Sequence, residues 1–270
     1  RTVLDHLGDL ADYVSLHRYV GNREDNTADY LAITASIDQQ IEEMDAVCKF
    51  VQAKNHSNKR AFLCFDEWNV WYKNHEADGK GKVAPHLIEE VYNLEDALVV
   101  AGFFNSFIRH ADSVKIANIA QIVNVIAPLQ TRGDELLVQS IFYPFAMYTK
   151  RREGVALTTM VEGPTYANEK FCEITYIDSS TILDGDTLHV FATNRSQSDP
   201  APLTIDLADG EITSLIDAEI LTGMDPKAHN TFDQPENVVA KPFSDVKIED
   251  GKAIVELPPL SVVAMSLKLK

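Results

Sequence analysis

The sequence is short of cysteine, of basic charge and of long apolar runs, and each shortage removes a class of protein. Its three cysteines, Cys48, Cys64 and Cys172, are an odd number, widely spaced, with no C-x-x-C pair. That argues against a disulfide framework and against a cysteine-ligated metal. Their apolar contexts are those of buried free thiols in a reducing compartment, so a cytoplasmic setting is expected. With 24 bases against 41 acids the formal net charge is -17 and the pI about 4.8. Such a balance repels nucleic acid and anionic membrane surfaces but not a neutral sugar. No apolar run reaches the roughly 20 residues of a membrane span, and no signal peptide is visible. The chain begins with Arg1 rather than methionine, so an internal start is expected. Glycine-rich phosphate loops and Ser-His-Asp motif contexts are missing too.

What is present is ample core: 270 residues, 45% of them hydrophobic, suit one large or two ordinary domains. Strand-like and helix-like segments alternate over residues 1–153. Strands are expected at Asp12 to Val20, Ala61 to Phe65 and Val114 to Val123. Helices are expected at Thr27 to Asn55, Ala84 to Ala111 and Asp134 to Arg152. From about Gly154 the texture changes to short strand-like runs, such as "VALTTMV", "TLHVFATN" and "AIVEL", separated by Gly, Asp, Asn and Pro turns. These predict an antiparallel β-sandwich over residues 154–270. No low-complexity linker separates the two parts, so a packed boundary is expected.

The stretch "AFLCFDEWNVWY" carries the chemistry. Ala61 to Phe65 reads as a strand buried on both faces, and it runs directly into Asp66 and Glu67. Buried carboxylates without partners cost several kcal/mol. In parallel α/β folds the carboxyl ends of strands hold the ligand. His17 and Tyr19 stand at the end of the first strand, and Asn118 and Gln121 along the third. Three such units cannot close a barrel.

The segments "CFDEWNVWY", "DYVSLHRYVGN", "EVYNLEDALVVAGFFNSFIRHADSVKIANIAQIVNVIAPL" and "LPPLSVVAMSLKL" together resemble the C-terminal portion of family 51 glycoside hydrolases, the intracellular α-L-arabinofuranosidases. The resemblance implies the C-terminal part of a (β/α)8 TIM barrel followed by an antiparallel, jelly-roll-like β-sandwich. It implies a retaining hydrolase that releases terminal α-L-arabinofuranosyl groups from arabinan or arabinoxylan oligosaccharides, with Glu67 as nucleophile. Retention needs two carboxyl groups about 5–5.5 Å apart. The family's acid/base glutamate sits in a Gly-Asn-Glu segment that this sequence lacks, so the N-terminal remainder of the barrel is an expected partner. The resemblance also implies a homo-oligomer, a hexamer being the expected size, and no cofactor.

Carried over residue by residue, Tyr19 would orient Glu67, His17 would line the pocket, Gln121 would approach the furanose ring and Trp71 would stack on the sugar. Each has a plainer reading. Tyr19 is then a rim tyrosine, His17 a histidine bonded to backbone and Gln121 an amide bridging loops. Trp68 reads as wall or core. Asp66, on the opposite strand face from Glu67, reads as a carboxylate bonded to backbone or to an arginine behind the strand. His75, Glu76 and His86 sit in a charged loop, and no metal is expected there. The competing function is a non-catalytic carbohydrate-binding or assembly fragment. Within the enzyme class, β-xylosidase or endoglucanase activity on the same scaffold is the other reading.

Overall fold

The computed structural model of the chain describes residues 1–73, 83, 88–168 and 170–270, so His75, Glu76 and His86 lie outside the described residues. A short helix, α1 (Thr2–Leu7), precedes the strand β1 (Tyr13–Val20). Then come α2 (Thr27–Leu31), a 3-10 turn at Ala32–Thr34, α3 (Ala35–Lys54), β2 (Phe62–Val70), α4 (Leu94–Arg109) and β3 (Val114–Ile119). The three strands form a parallel sheet in the order β1-β2-β3.

Caps set the helix starts. The Asn26 side chain accepts from the Asp29 amide at the start of α2. Asn93 and Asp96 form a reciprocal capping box at the start of α4. The second long helix begins at Leu94, residues 88–93 before it being non-helical and the expected start at Ala84 lying outside the described residues, and the first is split into α2 and α3. Gly102 marks the closest crossing of α4 with this segment, since a Cβ there would lie 2.4 Å from Thr34 Cγ2.

On β2, Leu63 and Phe65 are fully buried against the helices, while Phe62 and Cys64 on the other face are only partly covered. The expectation of burial on both faces is thus half met, because helices cover one side of the sheet. Trp68 is core: its ring lies 4.7 Å from Phe103, 5.4 Å from Phe104 and Phe107, and 5.8 Å from Phe145. The expected third helix is corrected to a hairpin and a shorter helix. β4 (Leu129–Arg132) and β5 (Glu135–Val138) pair around Gly133 at φ +59°, and α5 (Phe142–Thr149) follows. A left-handed glycine between two short alternating runs is a turn signal that outweighs helical periodicity.

The remaining strands are β6 (Val155–Leu157), β7 (Thr165–Asn168), β8 (Cys172–Thr175), β9 (Ile177–Asp184), β10 (Thr187–Asn194) and β11 (Ala201–Ile205). They continue with β12 (Ile212–Thr222), β13 (Lys241–Pro242), β14 (Val246–Glu249), β15 (Lys252–Leu257) and β16 (Ser261–Leu269). A six-stranded sheet, β13-β12-β16-β10-β9-β6, faces a three-stranded sheet, β11-β15-β14. Between them pack Leu188, Val190, Val263, Met265, Leu267, Val255 and Leu257. The alternate residues Phe191, Val262, Ala264 and Leu221 face the helices instead and join the core that contains Trp68. Two-sided burial explains the unbroken apolar run in β16. Tyr148 of α5 stacks on Phe191 at 4.0 Å. The three cysteines are free, but only Cys48 is buried; Cys64 is partly covered and Cys172 is exposed at the start of β8, contrary to the expectation of three buried thiols.

A buried ion network crosses between the helices and the six-stranded sheet. Asp178 accepts from Arg109 at 2.8 Å and from Asn105 at 3.0 Å, and it faces Arg195 at 3.3 Å. Arg109 also reaches Asp38 at 2.7 Å. Removing one member of a buried pair strands the other charge, so Asp178→Ala should destabilise the complete protein by about 3 kcal/mol or more. Urea unfolding checks this, and a loss below about 1 kcal/mol, the range of exposed pairs, would contradict it.

Candidate active site

The two acids after the apolar run sit on a β-bulge. On one side of β2 the register steps from Ser15↔Cys64 to His17↔Glu67; on the other it steps from Phe65↔Ala117 to Trp68↔Ile119. At this point in both ladders β2 carries one residue more than its neighbour; earlier, between Leu63↔Val114 and Cys64↔Ile116, the extra residue is on β3. An inserted residue breaks the alternation of side chains. Asp66 and Glu67 are therefore both exposed, while Trp68, Asn69 and Val70 are all buried. The expectation that Asp66 points away from Glu67 is corrected: one imidazole meets both. His17 Nε2 lies 3.5 Å from Asp66 Oδ1, and its Nδ1 lies 3.5 Å from Glu67 Oε2. Asp66 also accepts from the Ser15 hydroxyl at 2.7 Å, and that bond is the main reason its carboxyl lies below the usual range.

The Tyr19 hydroxyl donates to Glu67 Oε2 at 2.9 Å. Burial, and then the bond and charge of Glu67, push the Tyr19 phenol up to about 12. The Glu67 side chain remains 48% exposed, so this anchoring still leaves it open to a ligand. Trp71 lies edge-on to Tyr19 at 5.5 Å, and its amide donates to Val20 O at the end of β1. Sequence reasoning placed His17, Tyr19 and Trp71 near Glu67, and the fold brings these three together.

Gln121 stands on the exposed loop after β3, with its amide donating to Ile126 O at 3.3 Å. Among the described residues its side chain has no hydrogen bond to Glu67. The preceding Ala120–Gln121 peptide is cis. Asn69 holds this loop from below, its amide donating to Ala120 O and Ile126 O, both at 2.6 Å. Sequence reasoning passed over Asn69, although it stands in the Asp-Glu-Trp-Asn run. It also missed the fully buried acids Glu90, Glu95 and Asp96 beneath the rim; the available signal was the Asn93-x-x-Asp96 cap. Among the described residues no group of acids, histidines and cysteines is arranged to hold a metal. No helix among them is long and apolar enough to cross a membrane.

A rim acid on a bulged strand of a three-stranded parallel sheet, with an antiparallel sandwich packed behind it, fits the expected C-terminal part of a (β/α)8 barrel carrying a sandwich. Comparison with known proteins agrees. A family model described as the alpha-L-arabinofuranosidase C-terminal domain matches residues 66–261. The chain is 38% identical over 266 residues to the intracellular exo-alpha-(1->5)-L-arabinofuranosidase of Halalkalibacterium halodurans, covering 96% of this chain and 53% of that protein. It is 36% identical over 272 residues to the intracellular exo-alpha-(1->5)-L-arabinofuranosidase 1 of Bacillus subtilis, covering 98% and 54%. A solved family 51 alpha-L-arabinofuranosidase from Bifidobacterium longum superposes with a TM-score of 0.90 at 30% identity, over 98% of this chain and 55% of that one. The chain belongs to the family 51 alpha-L-arabinofuranosidases. It spans about half the length of the curated relatives it matches.

The Tyr19–Glu67 contact has a spectroscopic consequence. In a Glu67→Gln variant of the complete protein the charge facing the phenol is gone, so Tyr19 should titrate below its value of about 12. NMR of tyrosine labelled at Cζ, assigned with Tyr19→Phe, reads the shift. An unchanged Tyr19 titration would contradict the contact.

Proposed function

We propose that this chain supplies the nucleophile of a retaining α-L-arabinofuranosidase, and that Glu67 is that nucleophile. The observation that carries the reading is the half-exposed Glu67 carboxylate at the bulge in the C-terminal half of the parallel strand β2, gripped on one oxygen by Tyr19. His17 meets the same oxygen, so Oε1 is left to attack. Attack forms a covalent ester to the anomeric carbon while a second carboxyl group protonates the leaving oxygen; water, deprotonated by that second group, then releases the sugar. Tyr19 holds the nucleophile's orientation through both steps. Trp71 and Gln121 form walls of the sugar site, and Trp71 stacks on the unit beyond the cleaved bond.

The second carboxyl group belongs to a barrel portion beyond this chain. Two observations support that: β1 and β3 each have an unpaired edge in the described sheet, and the chain spans about half of its relatives. Exposed parallel edges are a liability that a completed barrel removes. On the same reading, residues 1–153 are the last three β/α units of the barrel and residues 154–270 the sandwich. The substrate class is terminal α-L-arabinofuranosyl groups on arabinan or arabinoxylan fragments, in keeping with relatives named as exo-acting arabinofuranosidases. Relatives named intracellular, together with three free thiols, support a cytoplasmic setting. The assembled enzyme is read as a homo-oligomer, a hexamer on the family pattern; light scattering of the complete protein tests this, and a monomer at all concentrations would remove it.

In the complete protein, Glu67→Gln should lower turnover of an aryl α-L-arabinofuranoside by at least about a thousandfold without unfolding it. A mechanism-based inhibitor should attach its sugar to Glu67, located by peptide mapping. A label on Asp66, or near-normal turnover in the variant, would overturn the assignment.

A further inference from the structure

Below the rim lies a set of buried groups that joins both strand exits to the sandwich. Glu90 accepts from the amides of Tyr72 and Lys73 at 2.9 and 2.8 Å, fixing the segment just after Trp71. Asp96 accepts from the Tyr30 hydroxyl, the Asn93 amide and Lys73 Nζ. Glu95 accepts from Asn22 at 3.2 Å and Thr27 at 2.7 Å, both on the segment leaving β1, and lies 3.5 Å from the Tyr72 hydroxyl. Its cation comes from elsewhere. Lys227, in the loop between β12 and β13, places Nζ 2.7 Å from Glu95 Oε1 and 2.6 Å from Asp25.

The same loop caps the barrel helix. The Leu94 and Glu95 amides, at the unsatisfied start of α4, donate to Ala228 O at 2.9 Å and Pro226 O at 3.0 Å. Among the described residues, the fully buried carboxylates of Asp96 and Glu95 are faced by Lys73 and Lys227 respectively. Among the described residues, Glu95 without Lys227 keeps only the neutral donors Asn22, Thr27, Tyr72 and Asn93, and has a like charge beside it in Asp96. A buried carboxylate in that position shifts its surroundings until it finds water or a proton. The surroundings are the exits of β1 and β2. They have no slack: a Cβ on Gly21 would lie 2.3 Å from Tyr72 Cβ. Tyr72 follows Trp71, whose ring abuts Tyr19, and Tyr19 holds Glu67.

We propose that Lys227, a residue of the sandwich, is a positioning residue for the reaction at Glu67, acting by pairing with Glu95 under the two strand exits that carry Tyr19 and Trp71. This rests on the reading of Glu67 as nucleophile. The sandwich then sets the geometry of the catalytic carboxylate through one ion pair as well as supporting the barrel.

The experiment compares wild type, Lys227→Met, Lys227→Arg and the double variant Lys227→Met/Glu95→Gln of the complete protein on an aryl α-L-arabinofuranoside, with kcat and KM per folded enzyme. Lys227→Met should lose at least about tenfold in kcat with little change in KM, because alignment and not ground-state binding is disturbed. Lys227→Arg should recover most of that loss. The double variant should recover it too, because the carboxylate left alone has been removed. A lowered melting temperature with unchanged kcat, or a double variant no better than Lys227→Met, would overturn the proposal. Should Lys227→Met fail to fold, a folded double variant with kcat near wild type supports it, and one impaired tenfold overturns it. Wild type that does not cleave the substrate, or that is labelled away from Glu67, refutes the nucleophile reading instead.

Discussion

One extra residue in β2 decides what the rim can do. A regular strand would send Asp66 and Glu67 to opposite faces, one of them into a layer occupied by Phe103, Phe104 and Phe107. The bulge turns both carboxylates to the open side and lets Trp68 drop into the aromatic core. The bulge thus removes the cost of burying an acid and supplies a well-packed anchor directly behind it. His17 and Tyr19, two residues apart on β1, both reach Glu67. The register fixes that meeting, since His17 lies opposite Glu67 in the ladder.

The anchor depends on the second half of the chain. Its six-stranded sheet is buried on both faces, by the three-stranded sheet on one and by the helices on the other. Phe191 and Tyr148 carry the contact through apolar stacking; Asp178 with Arg109 and Arg195 carries it through charge. The loop between β12 and β13 goes further and completes the hydrogen bonding of α4. Separating the two parts would expose apolar surface and leave helix amides and buried carboxylates unpaired, so the sandwich belongs to the working structure of the rim.

Much of this was legible in the sequence, for identifiable reasons. Apolar runs ending in polar residues marked β1 and β2, and turn residues spaced along the second half marked the sandwich. His17, Tyr19 and Trp71 were legible as neighbours of Glu67 because strand ends of a parallel sheet share one rim. The fate of Asp66 was not, since a bulge leaves no mark in an alternation argument. The Asp134 to Arg152 helix failed because Leu136, Leu137, Ile141 and Phe145 satisfy a helical period while Gly133 demands a turn. Glu90, Glu95 and Asp96 look like the polar face of a helix start; only the fold shows them sunk between strand exits and a distant loop. Gln121 was legible as a residue near the third strand's end, and it stands on the exposed loop after β3 that Asn69 holds.

The central claim is that Glu67 is the nucleophile of a two-carboxylate retaining site whose other carboxyl group comes from the rest of the barrel. The most direct measurement is a crystal structure of the complete protein, read for the distance from the Glu67 carboxyl group to the nearest carboxyl group contributed from outside this chain. The account predicts about 5–5.5 Å across an open pocket. A separation of roughly 6.5–9.5 Å, the spacing of an inverting pair, or no second carboxyl group across the pocket, would contradict it.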